Sequence, residues 1–124
     1  MDFQNIYDTI EQYALNTQTV SSFYIGDVYM NLNSKHITYA AFNVDINNIR
    51  RVDGYDVISF QFCYADHLKN DSSNLFEIQS AGYNVMINVI KHLKEHFELD
   101  TYEDITINPF RQQFSDINAG VFCD

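Results

Sequence analysis

Three observations predict an α+β fold: an N-terminal helix, an antiparallel sheet with a long helix packed across one face, and two short C-terminal strands. Apolar residues recur every three and four positions over residues 2–16 and again over 71–97. Between these stretches, two runs alternate apolar and polar side chains. Two further short apolar runs follow the second helical stretch. Helical and strand periods segregated along a chain in this way lay helices on one side of an antiparallel sheet. A chain of 124 residues builds one core, so residues 1–124 are read as a single domain.

The first helix is read from Phe3, Ile6, Tyr7, Ile10, Tyr13 and Ala14, which share one face. Asn16-Thr-Gln-Thr ends it. Val20 to Leu32 is aromatic and irregular, and Gly26-Asp27 marks a bend, so a short strand followed by an extended arm is expected. Two strands come next. Ala40, Phe42, Val44 and Ile46 line one face of the first, and Ile58, Phe60, Phe62 and Tyr64 line one face of the second. Period two with one apolar side predicts a sheet covered on one face. The connection from Asn47 to Asp56 holds Asp53-Gly54, a turn signal, which predicts an antiparallel hairpin with a longish tip.

The long helix opens at Asp71-Ser-Ser-Asn-Leu-Phe-Glu, where Asn74 and Glu77 have capping-box spacing. Leu75, Ile78, Gly82, Val85, Met86, Val89, Ile90, Leu93 and Phe97 form its buried stripe; Asn84, Asn88, Lys91, Glu95 and Glu98 face away. A mid-helix Gly costs on the order of 1 kcal/mol relative to Ala, so Gly82 is read as bringing the helix close to the sheet. Ile105 to Asn108 and Gly120 to Cys123 supply the two last strands, with Gly120 permitting either a special backbone conformation or a close approach and Pro109 confining its strand to an edge or ending it.

Charge narrows the function classes. The net charge is −10, with no Lys or Arg in residues 1–34 and five acids against Arg111 alone in residues 100–124. Phosphate-backbone binding needs clustered bases, so direct nucleic-acid binding is excluded as the main role. An acidic wall suits a conduit past which DNA must slide. Nine Tyr favour surfaces partly buried against partners, and Tyr is also a good strand residue. The N-terminus has no basic region followed by an apolar block, and no apolar run approaches the roughly 18 residues of a membrane span, so a soluble intracellular protein is expected.

Residue patterns that carry chemistry are few. His92 and His96 are four apart on the long helix, but Leu93, Lys94 and Glu95 separate them, unlike a His-Glu-x-x-His metal motif. Cys63 falls on the polar face of a strand over 57–65 and His67 falls beyond its end, with no recognisable oxyanion site; Cys63 and Cys123 read as buried free thiols. The carboxylates form no pair that outranks a solvated face, and four scattered Gly make no phosphate-cradling loop. No catalytic residue, metal ligand or cofactor site is therefore assigned, and an enzyme is not expected.

The run Asn108-Pro-Phe-Arg-Gln-Gln-Phe-Ser-Asp-Ile-Asn-Ala-Gly-Val is less generic. Phe110 and Phe114 either staple a turn onto the core or project into a neighbour, and Arg111 is placed to pair with Asp116 or an adjacent subunit. With Asp56-Val-Ile-Ser-Phe-Gln-Phe-Cys-Tyr-Ala-Asp-His-Leu and Asn70-Asp-Ser-Ser-Asn-Leu-Phe-Glu-Ile-Gln-Ser, this run resembles neck and tail-completion proteins of tailed bacteriophages, most closely those of crAss-like phages. The order of elements also resembles the tail-terminator fold. The resemblance implies a non-enzymatic virion protein that forms a six- or twelvefold homo-oligomeric ring at the portal–tail junction. It implies neighbouring portal, neck or tail proteins as partners, genome DNA passing through the ring, no membrane, and assembly in the host cytoplasm. Members commonly continue beyond the last strand, which implies a short or clipped strand before Asp124.

Candidate subunit contacts, read from the residues, are Phe23, Tyr24 and Tyr29 in the arm, Arg50 and Arg51 at the hairpin tip, and Phe110, Arg111 and Phe114 in the late run. The alternative from a different class is a small acidic inhibitor that imitates nucleic acid. It would need carboxylates arrayed along one face, whereas this chain splits its acids between its two ends.

Overall fold

The computed structural model describes residues 2–97, 105–115 and 117–123. The side chains of Phe97 and Cys123, and all of Glu98 and Asp116, for which burial, exposure and pairing are expected from the sequence, lie outside the described residues. The fold is α+β, as the sequence predicts. Helix α1 spans Phe3–Leu15 and α3 spans Leu75–Phe97, with a short α2 over Val28–Leu32. The strands are β1 (Ser22–Ile25), β2 (Ala41–Val52), β3 (Tyr55–His67), β4 (Ile107–Arg111) and β5 (Asn118–Cys123).

The sheet order is β1-β2-β3-β5-β4. β1 runs parallel to β2, and the other three pairings are antiparallel. Pro109 sits in edge strand β4. The Gln112 N–H donates to the Asn118 carbonyl on the inner side. Alternation along the strand then turns the backbone of Pro109 outward, where a missing donor costs nothing.

The expected extended arm is instead helical. Gly26, at φ +116, turns the chain out of β1. The Asp27 carboxylate then accepts from the Met30 N–H at 3.0 Å and caps α2. Val28 and Leu32, one turn apart, bury together on the sheet. Buried Asn43 ties this corner down, donating to the Gly26 carbonyl and accepting from Asn31 at 2.7 Å.

A second correction concerns the sheet, which is covered on both faces. On one face, α1 and α3 pack Ile10, Val85, Met86, Val89 and Leu93 against Phe42, Val44, Phe62 and Tyr64. On the other, small residues Ala41, Cys63 and Ala65 receive Val28, Leu32, Phe110 and Phe114. Polar Asp45, Ser59 and Gln61 on the outer half of that second face mask this in the sequence.

The hairpin connection is also shorter than expected. β2 and β3 pair as far as Val52 with Tyr55, leaving a two-residue turn at Asp53-Gly54. Both turn residues have positive φ, 51° and 82°, which is the primed turn that matches strand twist.

Asn74 does not close the predicted box. Its side chain accepts from the Lys69 N–H and donates to the His67 carbonyl, tying the loop to the end of β3. Two close approaches hold the layers. A β-carbon on Gly82 would lie 2.8 Å from the Tyr64 ring, and one on Gly120 would overlap the Tyr64 carbonyl. Both glycines play the packing role read from the sequence.

Candidate assembly surface

The β2–β3 hairpin outruns its sheet. β1 last pairs at Ile25 with Val44, and β5 last pairs at Phe62 with Cys123. Among the described residues, no strand lies on either edge of the ribbon from Ile46 and Phe60 to the turn. At about 3.3 Å per residue, this free arm is about 20 Å long. Two-stranded ribbons alone are marginal in water, so an arm of this kind gains stability from whatever covers it. Asn47 is an extra residue between the Ile46 and Asn48 pairings, and such a bulge adds twist at the root of the arm.

Beyond the bulge, Ile49 and Ile58 share one side with Arg51 and Asp56, while Arg50, Val57, Val52 and Tyr55 share the other. Tyr55 is 77% exposed. The Arg51 guanidinium reaches the Asp56 carboxylate at 3.4 Å and the Gly54 carbonyl at 3.3 Å, stiffening the turn from outside. Such an exposed ion pair contributes little to stability.

A groove of about 500 Å³ runs between α3 and β4, lined by Phe76, Tyr83, Ile107, Pro109 and Val121 with Gln79, Ser80 and Asn84. Gln79 donates to the Phe110 carbonyl at 3.2 Å, joining helix to strand beside it. Phe76 is 80% exposed. A shallower recess of about 430 Å³ lies where Phe3 and Tyr7 of α1 meet Ile46 and Ile49 at the root of the arm.

The residues singled out from the sequence do not form one patch. Phe23 is half-buried and stacks on Phe42, with ring centres 6.3 Å apart. Tyr24 is half-buried on the opposite side of β1, its hydroxyl accepting from the Thr38 N–H. Phe110 and Phe114 are buried edge-to-face at 4.8 Å, and Tyr29 lies edge-on to Phe114 at the same distance. Their apolar area is therefore used mainly inside the chain, the staple of the two alternatives. Tyr29, Arg50, Arg51 and Arg111 are exposed.

Sequence reasoning missed Tyr55, Phe76, Tyr83 and Ile87. The last three recur at intervals of seven and four on α3, a second apolar stripe beside the buried one, which is the signal that could have found them.

The side chains weighed for chemistry are held by packing. Tyr13 of α1 stacks on His92 with ring centres 4.9 Å apart, and its hydroxyl lies 3.2 Å from Nδ1 of His96. Both imidazoles thus help dock α1 on α3. Cys63 is buried, and burial pushes its thiol well above the ordinary range, so it carries little nucleophilic thiolate. His67 lies edge-on to Tyr39. Among the described residues, no three His, Cys, Asp or Glu side chains converge as a metal site. No described helix is long and apolar enough to cross a membrane.

Comparison with protein-family models and with curated proteins finds no match to this chain.

Proposed function

We propose that this chain is a non-enzymatic structural subunit that assembles with copies of itself into a ring at the portal–tail junction of a virion. The observation that carries the reading is the free β2–β3 arm, an unflanked ribbon that presents Ile49, Val52 and Tyr55 to solvent. Exposed apolar side chains on a ribbon that α1 meets at its root suit a protein whose stable state is an assembly. The charge fits the same role. A net −10 per copy, multiplied around a ring, lines or surrounds a channel that repels DNA and lets it slide. The resemblance of the three sequence blocks to neck and tail-completion proteins supplies the location.

Imaging of the purified chain at high concentration tests this reading. Closed rings with a central channel are expected. A dispersed monomer that binds a nucleic-acid-binding protein through its acidic surface would replace the ring with the inhibitor reading.

A further inference from the structure

We propose that the β2–β3 arm of one copy seats in the α3–β4 groove of the next copy, with Tyr55 packed against Phe76 and Arg50 paired with Glu77. The inference rests on the self-assembly reading and names the two surfaces that make it.

Exposure points to these elements first. Among the described residues, Phe76 at 80% and Tyr55 at 77% are as exposed as any large apolar side chain, matched only by Met30. One stands on a projecting ribbon and the other at a concave wall. Aromatic anchors that fill pockets supply most of the affinity at protein interfaces.

Charge then selects a second copy as occupant. Among the described residues, those lining the groove carry no formal charge. Residues 46–60 hold two Arg and two Asp, so the arm sums to zero. On a chain of net −10, contact between copies through most other surfaces brings like charges together. The arm and the groove meet without that repulsion. Complementarity adds direction. Arg50 lies on the Tyr55 side of the arm, two positions from Val52, which pairs with Tyr55. Glu77 adjoins Phe76 in the first turn of α3. Docking Tyr55 on Phe76 brings this base to this acid.

The contact is made by side chains and not by strand addition. The outer backbone of β4 lacks a donor at Pro109, which blunts that edge. Because arm and groove are different surfaces, the contact is head-to-tail, and such contacts close into rings when the rotation permits.

The test uses the full chain with Cys123→Ser. Val52→Cys and Ser80→Cys are made separately; both positions lie at the contact but leave Tyr55 and Phe76 intact. Under mild oxidation, the mixture of the two variants should give covalent dimers, and neither variant alone should. Independently, Arg50→Glu should raise the concentration needed for assembly about tenfold, and adding Glu77→Lys should restore it.

Dimers from Val52→Cys alone would mean arms meeting arms about a twofold, and would overturn the proposal. Rings that form without cross-linking and ignore both charge changes would overturn this docking and leave the ring standing. A chain that stays monomeric at every concentration would overturn both.

Discussion

Gly82 of α3 lies against Tyr64 of β3 so closely that an added β-carbon would stand 2.8 Å from the ring and 2.9 Å from the Val121 side chain. Two effects compete at this position. Ala gains about 1 kcal/mol of helix propensity over Gly. Overpacking a filled core costs about 1–3 kcal/mol. Clashes on two sides favour the second effect. Gly82→Ala is expected to lower stability by about 1 kcal/mol in a denaturant titration. A gain in stability would mean that α3 can lift from the sheet at little cost.

Tyr64 also sets an alkaline limit. Burial, reinforced by the charge of Asp66 and partly offset by the Thr19 hydroxyl, pushes its phenol from 10.0 up to about 12. Above pH 10 the unfolded chain loses this proton while the folded chain keeps it, so stability falls as pH rises from about 10 to about 12. A shift of this size corresponds to about 3 kcal/mol lost across that window. Tyr64→Phe should flatten the decline in denaturant midpoints measured over the same range. An unchanged slope would assign the loss to other groups.

Asn118 is fully buried at the start of β5, where its amide donates to the Leu32 carbonyl at 2.9 Å and to the Tyr39 hydroxyl at 3.2 Å. Removing it leaves a buried carbonyl without this donor. Asn118→Ala should cost about 2–3 kcal/mol and loosen α2. Hydrogen exchange over residues 28–32 reads the second effect; unchanged protection there would contradict the linking role.

Phe114 and Arg111 separate core from surface within one loop region. Phe114 is buried between Phe110 and Tyr29, so Phe114→Ala should cost about 3 kcal/mol of monomer stability. Arg111 is exposed at the end of β4, two positions along the strand from Pro109 of the groove lining. Arg111→Glu should shift monomer stability by less than about 0.5 kcal/mol while weakening assembly. Thermal melts and sedimentation of the two variants distinguish these effects. A large loss of stability from Arg111→Glu would place that residue in the fold.

The alternating runs 40–46 and 58–64 and the stripe on α3 made the main core legible, because deep burial on one face leaves a period in the sequence. The second face left a weaker trace. Its inward residues, Ala41, Cys63 and Ala65, are small, and the five-residue α2 that covers it is too short to show a helical period. The hairpin turn was readable at Asp53-Gly54, but the length of the arm was not, since polar and apolar residues mix on both of its sides once it leaves the sheet. The groove was hidden for a related reason. Phe76 and Ile107 are remote in sequence, and only the seating of β4 beside α3 brings them together.

Native mass spectrometry of the unmodified chain across a concentration series tests the central claim most directly. The account predicts a closed homo-oligomer of defined copy number, six or twelve by the resemblance, that gains population as concentration rises. A mass of one chain at every concentration would contradict it.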